Sequence, residues 1–330
     1  LRSWAMKSNY KQLGQFIRQV DVRNAAGKEE NLLGVSVQKT FIPSIANTVG
    51  TDFTKYKVVR RGQFTYIPDT SRRGDKIGIA LLSDCDEGLV SNVYTTFEVI
   101  DKNELLPEYL MLWFSRPEFD RYARFKSHGS VREVMDWDEM CKVQLPVPPI
   151  SVQRDIVKAY QTITNRIALK QQVNDNLEAV LAASHSKMFF SMDTSEHSKL
   201  GELMTFGNGK SRPKTDGPIP VYGGNGVLSY TDHHNIENAV LIGRVGAYCG
   251  SVYLEQGICW VSDNAIFAKS KITKDEFFDY FLLKRLNLFN HHVGTGQQLL
   301  TQEILNNIEV PKPVTEQIEL FNRKAASVFE

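Results

Sequence analysis

The chain has 330 residues, with 39 Lys and Arg against 38 Asp and Glu, 42% hydrophobic residues, 22 Gly and 12 Pro. That length favours two domains with separate cores, and the composition excludes collagen-like, mucin-like and disordered classes. A net charge of +1 supplies no global field for a polyanion, so any nucleic-acid surface must be a local patch.

Cys85, Cys141, Cys249 and Cys259 lie far apart with no Cys-x-x-Cys spacing. This argues against a disulfide framework or a structural zinc site, and for reduced thiols in the cytoplasm. No apolar run approaches the roughly 20 residues of a membrane span, and no secretory leader opens the chain. Met6 reads as the natural start, with the five residues before it outside the fold.

The first unit, residues 6–149, opens on Lys11-Gln12-Leu13-Gly14-Gln15. Between Lys55 and Lys76 seven basic residues face two acidic ones. Phosphates are the natural counter-charge for Arg60, Arg61 and Lys76, with Thr65 and Tyr66 interleaved to hydrogen-bond them. Arg72 and Arg73 precede Gly74 in a turn-like context that suits bidentate reading of guanine; a solvated basic face reads the same way. A helix rich in Leu and aromatics opens at Pro107-Glu108-Tyr109-Leu110. A second basic run then leads through Arg121, Arg124 and Lys126 into Ser127-His128-Gly129-Ser130 and Arg132. Lys126, His128, Ser130 and Arg132 are candidates to approach DNA through a small-residue loop, with a plain helix-exit turn as the alternative.

Pro146-Val147-Pro148-Pro149 stops the first unit, and Ser151 is placed to cap a helix. From Val152 to Phe190 there are 39 residues without Gly or Pro, enough for a helix of about 58 Å. A three-four spacing runs through Ile156, Tyr160, Ile163, Ile167, Lys170, Asn174, Leu177, Leu181, Ser184 and Met188. Seven of these ten are apolar, a seam that wants a partner helix, with Lys170 and Asn174 helping to fix register. Residues 150–192 are therefore read as a spacer helix, with an ordinary core helix as the alternative.

The second unit, residues 193–314, replays the first. Ser198-Lys199-Leu200-Gly201-Glu202 repeats the opening, Val261-Ser262-Asp263-Asn264 repeats Val90-Ser91-Asn92, and Phe278-Asp279-Tyr280-Phe281 repeats the helix start. From Gly129 to Pro146 the match to Gly294–Pro311 holds at a constant offset of 165 residues. Gly207-Asn208-Gly209-Lys210-Ser211 tempts a P-loop reading, which fails because Met204 stands where that motif needs Gly. A DNA-facing loop is the better use of Lys210, Arg212 and Lys214. Tyr222, Asn225, Arg244, Gln297 and Gln298 are further candidates, Tyr222 being as well explained by packing. After Thr315, the spacing of Ile318, Phe321, Ala325 and Val328 suggests that residues 315–330 begin a second, shortened spacer helix, either truncated or completed by another subunit.

Two similar units, each followed by a proline break and a heptad helix, resemble the DNA specificity subunit of a Type I restriction-modification system. The resemblance rests on the Leu-Gly openings, on Pro-Val-Pro-Pro-Ile-Ser-Val-Gln-Arg and Pro-Lys-Pro-Val-Thr-Glu-Gln, and on Pro220-Val221-Tyr222-Gly223-Gly224-Asn225-Gly226. It implies an α/β (α+β) fold with two target recognition domains, each reading half of a bipartite site in double-stranded DNA. A long coiled-coil-type helix would set their spacing. It also implies a non-catalytic chain that works with modification (methyltransferase) subunits and, through them, restriction subunits. S-adenosylmethionine, ATP and Mg would sit on those partners, with no cofactor on this chain.

The residues agree that catalysis lies elsewhere. Neither a Gly-rich strand-turn-helix fingerprint nor an Asn-Pro-Pro-aromatic tetrad occurs. Asp84-Cys85-Asp86-Glu87 reads as an acidic turn, and the adjacent pairs His233-His234 and His291-His292 do not chelate as an i, i+4 pair does. No catalytic or metal site is expected. The rival reading is a coiled-coil scaffold carrying two protein-binding domains, which would lack salt-steep DNA binding.

Overall fold

The structure, a computed structural model, describes residues 10–45, 48, 50–70, 76–127, 133–189, 196–294 and 296–329. It divides within one helix into two compact units, residues 1–168 and 169–330.

In the first unit β1 (Tyr10–Gln12) is followed by β2 (Ile17–Val20), β3 (Leu32–Val35), β4 (Phe41–Pro43), β5 (Lys57–Arg60), β6 (Gln63–Tyr66), β7 (Ile79–Leu81), β8 (Glu87–Val90) and β9 (Thr95–Val99). Then come α1 (Pro107–Phe114), α2 (Pro117–Lys126), α3 (Trp137–Lys142), β10 (Gln144–Pro146) and the start of α4 (Ile150–Phe189). Proline at the first turn of α1 and α2 sits where a missing N–H costs nothing. The strands form two four-stranded sheets, β2-β9-β6-β7 and β4-β3-β8-β5. Phe64 and Phe97 stack at 4.8 Å between centroids, and Phe114 meets both edge-on in the core.

The second unit contains the end of α4, β11 (His197–Lys199), α5 (Leu200–Leu203), β12 (Met204–Asn208), β13 (Ile219–Gly223), β14 (Gly226–Thr231), β15 (Ile236–Gly243), β16 (Val252–Val261) and β17 (Ala265–Ser270). It ends with α6 (Phe277–Arg285), α7 (Gln302–Asn307), β18 (Glu309–Pro311) and α8 (Thr315–Phe329). Its main sheet has six strands in the order β12-β17-β15-β16-β13-β14.

The two strand orders are the same once one break is recognised. The long hairpin β15–β16 of the second unit corresponds to two shorter pairings in the first, β5 with β8 and β6 with β7. β15 already carries the irregularity at which this split falls, between Glu237 and Ala239, with Asn238 at φ 47°. The parallel pair β3–β8 matches β13–β16, and the antiparallel pairs β3–β4 and β2–β9 match β13–β14 and β12–β17. The duplication therefore extends to topology.

Each unit closes on itself. β1 pairs antiparallel with β10, Lys11 opposite Leu145, and β11 pairs with β18, Ser198 opposite Val310. Leu13 N–H donates to the Val143 carbonyl at 2.8 Å, and Leu200 N–H to that of Ile308 at 2.9 Å. The glycine that follows each leucine admits the adjoining helix. A Cβ on Gly14 would lie 2.8 Å from that of Cys141, and one on Gly201 would lie 2.5 Å from Oδ1 of Asn306. Asp136 and Thr301, again 165 residues apart, cap α3 and α7 by accepting from the N–H of Glu139 and Ile304.

Helix α4 is one continuous helix of 40 residues, about 60 Å long. In the first unit Ile156, Tyr160, Ile163 and Ile167 are exposed, the last two by 61% and 63%. Val157, one position off the seam, is the residue buried in the core. In the second unit Leu177 is exposed, Leu181 is buried and Met188 is half-buried against the core. Ile318, Phe321 and Ala325 of α8 are buried in that core, with the Phe321 ring 5.2 Å from His185 and 6.4 Å from Phe189. The C-terminal helix thus packs with the last turns of α4.

Each unit is fastened to a helix by a buried carboxamide. Gln153 on α4 is 0% exposed; its Oε1 accepts from Leu106 N–H at 2.9 Å, and its Nε2 donates to the carbonyls of Glu104 and Pro148, both at 2.8 Å. Asn322 on α8 does the same for α6, accepting from Phe278 N–H at 2.8 Å and donating to the carbonyl of Asp275 at 3.0 Å and Oγ1 of Thr273 at 2.9 Å. Replacing Gln153 with Leu strands these groups, so it should lower the opening free energy of first-unit amides by about 2–3 kcal/mol. Peptide-resolved hydrogen exchange should show the second unit unchanged.

The second core also holds two titratable groups that act in opposite directions. Burial pushes the Asp279 carboxyl up to about 8, and neighbouring Glu276 pushes the same way; its Oδ2 has no hydrogen-bond partner. Burial pushes His185 down to about 4, helped by Arg285. Between those limits unfolded Asp279 binds fewer protons than folded, so its contribution to stability falls as pH rises from about 4 to 8. Unfolded His185 binds more protons below its ordinary value, so its contribution falls as pH drops below about 6.5. The two slopes oppose each other up to about 6.5, and Asp279 alone remains above it. Denaturation of the second unit should therefore show stability declining from pH 6.5 to 8, and Asp279→Asn should abolish that decline.

Candidate nucleic-acid interface

In the second unit, five chain segments converge after the ends of strands. The loop following β15 is joined to the loop preceding α7: Leu300 N–H donates to the Arg244 carbonyl at 2.9 Å, and Gly246 N–H to that of Gln298 at 3.0 Å, with Val245 bridged to Leu299. The second loop is itself closed by reciprocal bonds between Val293 and Leu299, both 2.9 Å. The β16–β17 turn joins through Arg244 N–H to the Asn264 carbonyl at 3.0 Å, and Lys210 N–H reaches that of Val261 at 2.9 Å. The β13–β14 turn completes the group. It comes so close that a Cβ on Gly243 would lie 2.7 Å from the Gly224 carbonyl oxygen and 2.1 Å from that of Tyr248.

These contacts bring Lys210, Asn225, Arg244, Gln297 and Gln298 into one neighbourhood. Lys210, Asn225 and Gln297 are exposed, whereas Arg244 and Gln298 are half-buried. Arg212 and Lys214 follow Lys210 on exposed chain. Among the described residues, no carboxylate lies within salt-bridge distance of Lys210, Arg212, Lys214 or Arg244. Tyr222 is a correction. Burial, followed by its bond to Glu255, pushes its phenol well up; the hydroxyl donates to Glu255 at 3.0 Å while the ring packs toward Tyr253. The hydroxyl is already committed within the sheet.

The first unit builds the same junction. Met135 N–H donates to the Pro68 carbonyl at 3.0 Å, Thr70 N–H to that of Glu133 at 2.9 Å, and Asp69 is bridged to Val134. Glu133, Val134 and Met135 stand 165 residues before Gln298, Leu299 and Leu300, so all three links are repeated. A cleft of about 430 Å³ lies here, lined by Pro68, Asp69, Ser91, Val93, Tyr94 and Val134 among others. A buried ion pair holds the return of the loop after β6. Lys39 Nζ lies 2.5 Å from Oδ1 of Asp120, and the two bond to the carbonyl and N–H of Ile77 at 3.0 and 3.1 Å. Burial draws the Lys39 ammonium down while Asp120 opposes it.

The remaining first-unit candidates have different fates. Arg72, Arg73, His128, Ser130 and Arg132 lie outside the described residues. Lys76 is exposed beside Ile77. Arg60 and Arg61 precede β6, whereas the junction follows it; Arg61 also pairs with Asp86 at 3.2 Å and donates to the Ser83 carbonyl. Lys126 lies 3.9 Å from Glu139. Tyr66 is a second correction. It is 0% exposed, meets Phe97 edge-on, and burial pushes its phenol well up, so it belongs to the core and not to a DNA-facing surface.

Sequence reasoning missed the role of residues 262–264, although the Val-Ser-Asn repeat had marked them. The backbone carbonyls of Asp263 and Asn264, and not the side chains of this segment, hold Arg244. Among the described residues no three His, Cys, Asp or Glu side chains are grouped to hold a metal.

A family model described as Type I restriction modification DNA specificity domain matches residues 24–179 and again residues 192–327. The chain is also similar to the Type-I restriction-modification system S subunit from M. genitalium, with TM-score 0.60 and 15% identity over 99% of this chain and 93% of that one. Similarity to the HsdS subunit from Thermoanaerobacter tengcongensis has TM-score 0.36 and 17% identity over 98% and 90%. No curated protein matches. At 15% identity the M. genitalium structure speaks for the fold alone.

Proposed function

The chain belongs to the Type I restriction modification DNA specificity family, matched over both units, and we propose that each unit reads one half of a split DNA target while α4 sets the distance between the halves. As a specificity subunit it is non-catalytic. The repeated junction carries the further proposal. A backbone frame present twice, at one constant offset, gives two readers of similar build whose side chains differ, as two unlike half-sites require.

Chemistry then resides on partners. Modification subunits would bring S-adenosylmethionine, and restriction subunits recruited through them would bring ATP and Mg. This chain would direct adenine methylation in the cytoplasm; none of its described helices is long and apolar enough to cross a membrane. The scaffold reading has no observation in its favour.

Sequencing of methylated DNA from cells carrying the chain with its modification subunits tests both parts. Exchanging residues 193–314 for another such unit should change one half of the methylated motif. A change in both halves refutes separate reading. Inserting four residues near Lys170 adds about 6 Å and almost preserves facing. With base pairs about 3.4 Å apart, the gap should lengthen by one or two base pairs; an unchanged gap at full activity would show that α4 does not set it.

A further inference from the structure

We propose that Arg244 is the residue through which the second unit selects a guanine, an inference that rests on the reading of each unit as a half-site reader. Arg244 is gripped from four sides. Its N–H donates to Asn264, its carbonyl accepts from Leu300 N–H at 2.9 Å and from Cys249 Sγ at 3.4 Å, and its Nη1 donates to the Asp263 carbonyl at 3.3 Å. The Nε atom is covered and has no partner, while the residue as a whole keeps partial exposure.

This arrangement suits base reading better than charge neutralisation. A guanidinium fixed on backbone carbonyls, with no carboxylate competing for it, retains donors on its terminal nitrogens. Two parallel donors match O6 and N7 of guanine. Fixing the side chain beforehand removes the ordering cost that a free surface arginine would incur on binding. Lys210, Arg212 and Lys214 are exposed and have no such hold on their cationic ends, which fits them for phosphates, where position matters less.

The first unit cannot use this device. Its equivalent position is Pro68, by the shared bonds to Met135 and Leu300, and proline has no side-chain donor. The position equivalent to Arg244 therefore supplies no such contact to the first half-site.

The test is selection from a randomised duplex library by the complete chain assembled with its modification subunits, comparing the parent with Arg244→Lys and Arg244→Gln. The parent should enrich guanine at one position of the half-site that changes when residues 193–314 are exchanged. Lysine keeps the charge but loses the two-pronged fit, so guanine preference there should fall roughly 5- to 150-fold. Glutamine should move that position toward adenine, and the other half should stay unchanged in both variants. Unaltered base preferences in both variants, or a uniform loss of affinity, would overturn the proposal and leave half-site reading intact. A parent that selects no split motif would overturn that reading itself.

Discussion

The antiparallel closure of first strand on last is the constraint on which the rest depends. Because β1 lies against β10 and β11 against β18, each unit receives and releases the chain at one place. The release point is three residues from a helix in both cases, with prolines between that cannot continue either element. A unit built this way can diverge internally without altering its connection to the helix. The buried leucine and its following glycine support the closure, since a side chain at Gly14 would meet the Cβ and backbone of Cys141 and one at Gly201 would displace the Asn306 side chain.

Divergence has followed that freedom. Loop lengths between the closures differ, one long hairpin has become two short pairings, and the charges are wired differently. What persists is backbone: the joined loops at residues 68–70 and 133–135 recur at 244–246 and 298–300. The shared bond at this position uses the carbonyl, which every residue has, so the frame tolerates Pro68 in one unit and Arg244 in the other. Recognition by base edges needs the opposite property, side chains that vary on a fixed frame.

Much of this was legible in the sequence. The closing strands, caps and proline breaks fall at constant spacing, and the long helix announces itself by lacking Gly and Pro. Tyr66 was misread because β6 is buried along its whole length, and such a strand shows no alternation to betray its inward residues. The residues that fasten the helices to their units, Gln153 on α4 and Asn322 on α8, are polar and carry no periodic signal. The equivalence of Pro68 and Arg244 was hidden because the strands before them are spaced 176 residues apart, not 165. A scan for one offset finds one side of each junction and loses the other.

The near-zero net charge conceals two different electrostatic designs. In the first unit Lys55, Arg61, Arg116, Arg121, Arg124 and Lys126 all have carboxylates within 4 Å, so the run from Arg116 to Lys126 is neutralised where it stands, whereas Lys57, Arg60 and Lys76 of the earlier run have no carboxylate at that distance among the described residues. In the second unit Lys210, Arg212, Lys214 and Arg244 have no such partners among the described residues. Exposed ion pairs contribute little to stability, yet each one lowers the local potential that a phosphate backbone would meet. Counting charges over whole segments takes no account of this pairing. Cations that lack a neighbouring carboxylate among the described residues, and not segment totals, mark where a phosphate backbone would meet positive potential, and in the second unit Lys210 of this set shares its neighbourhood with the arginine that the backbone holds.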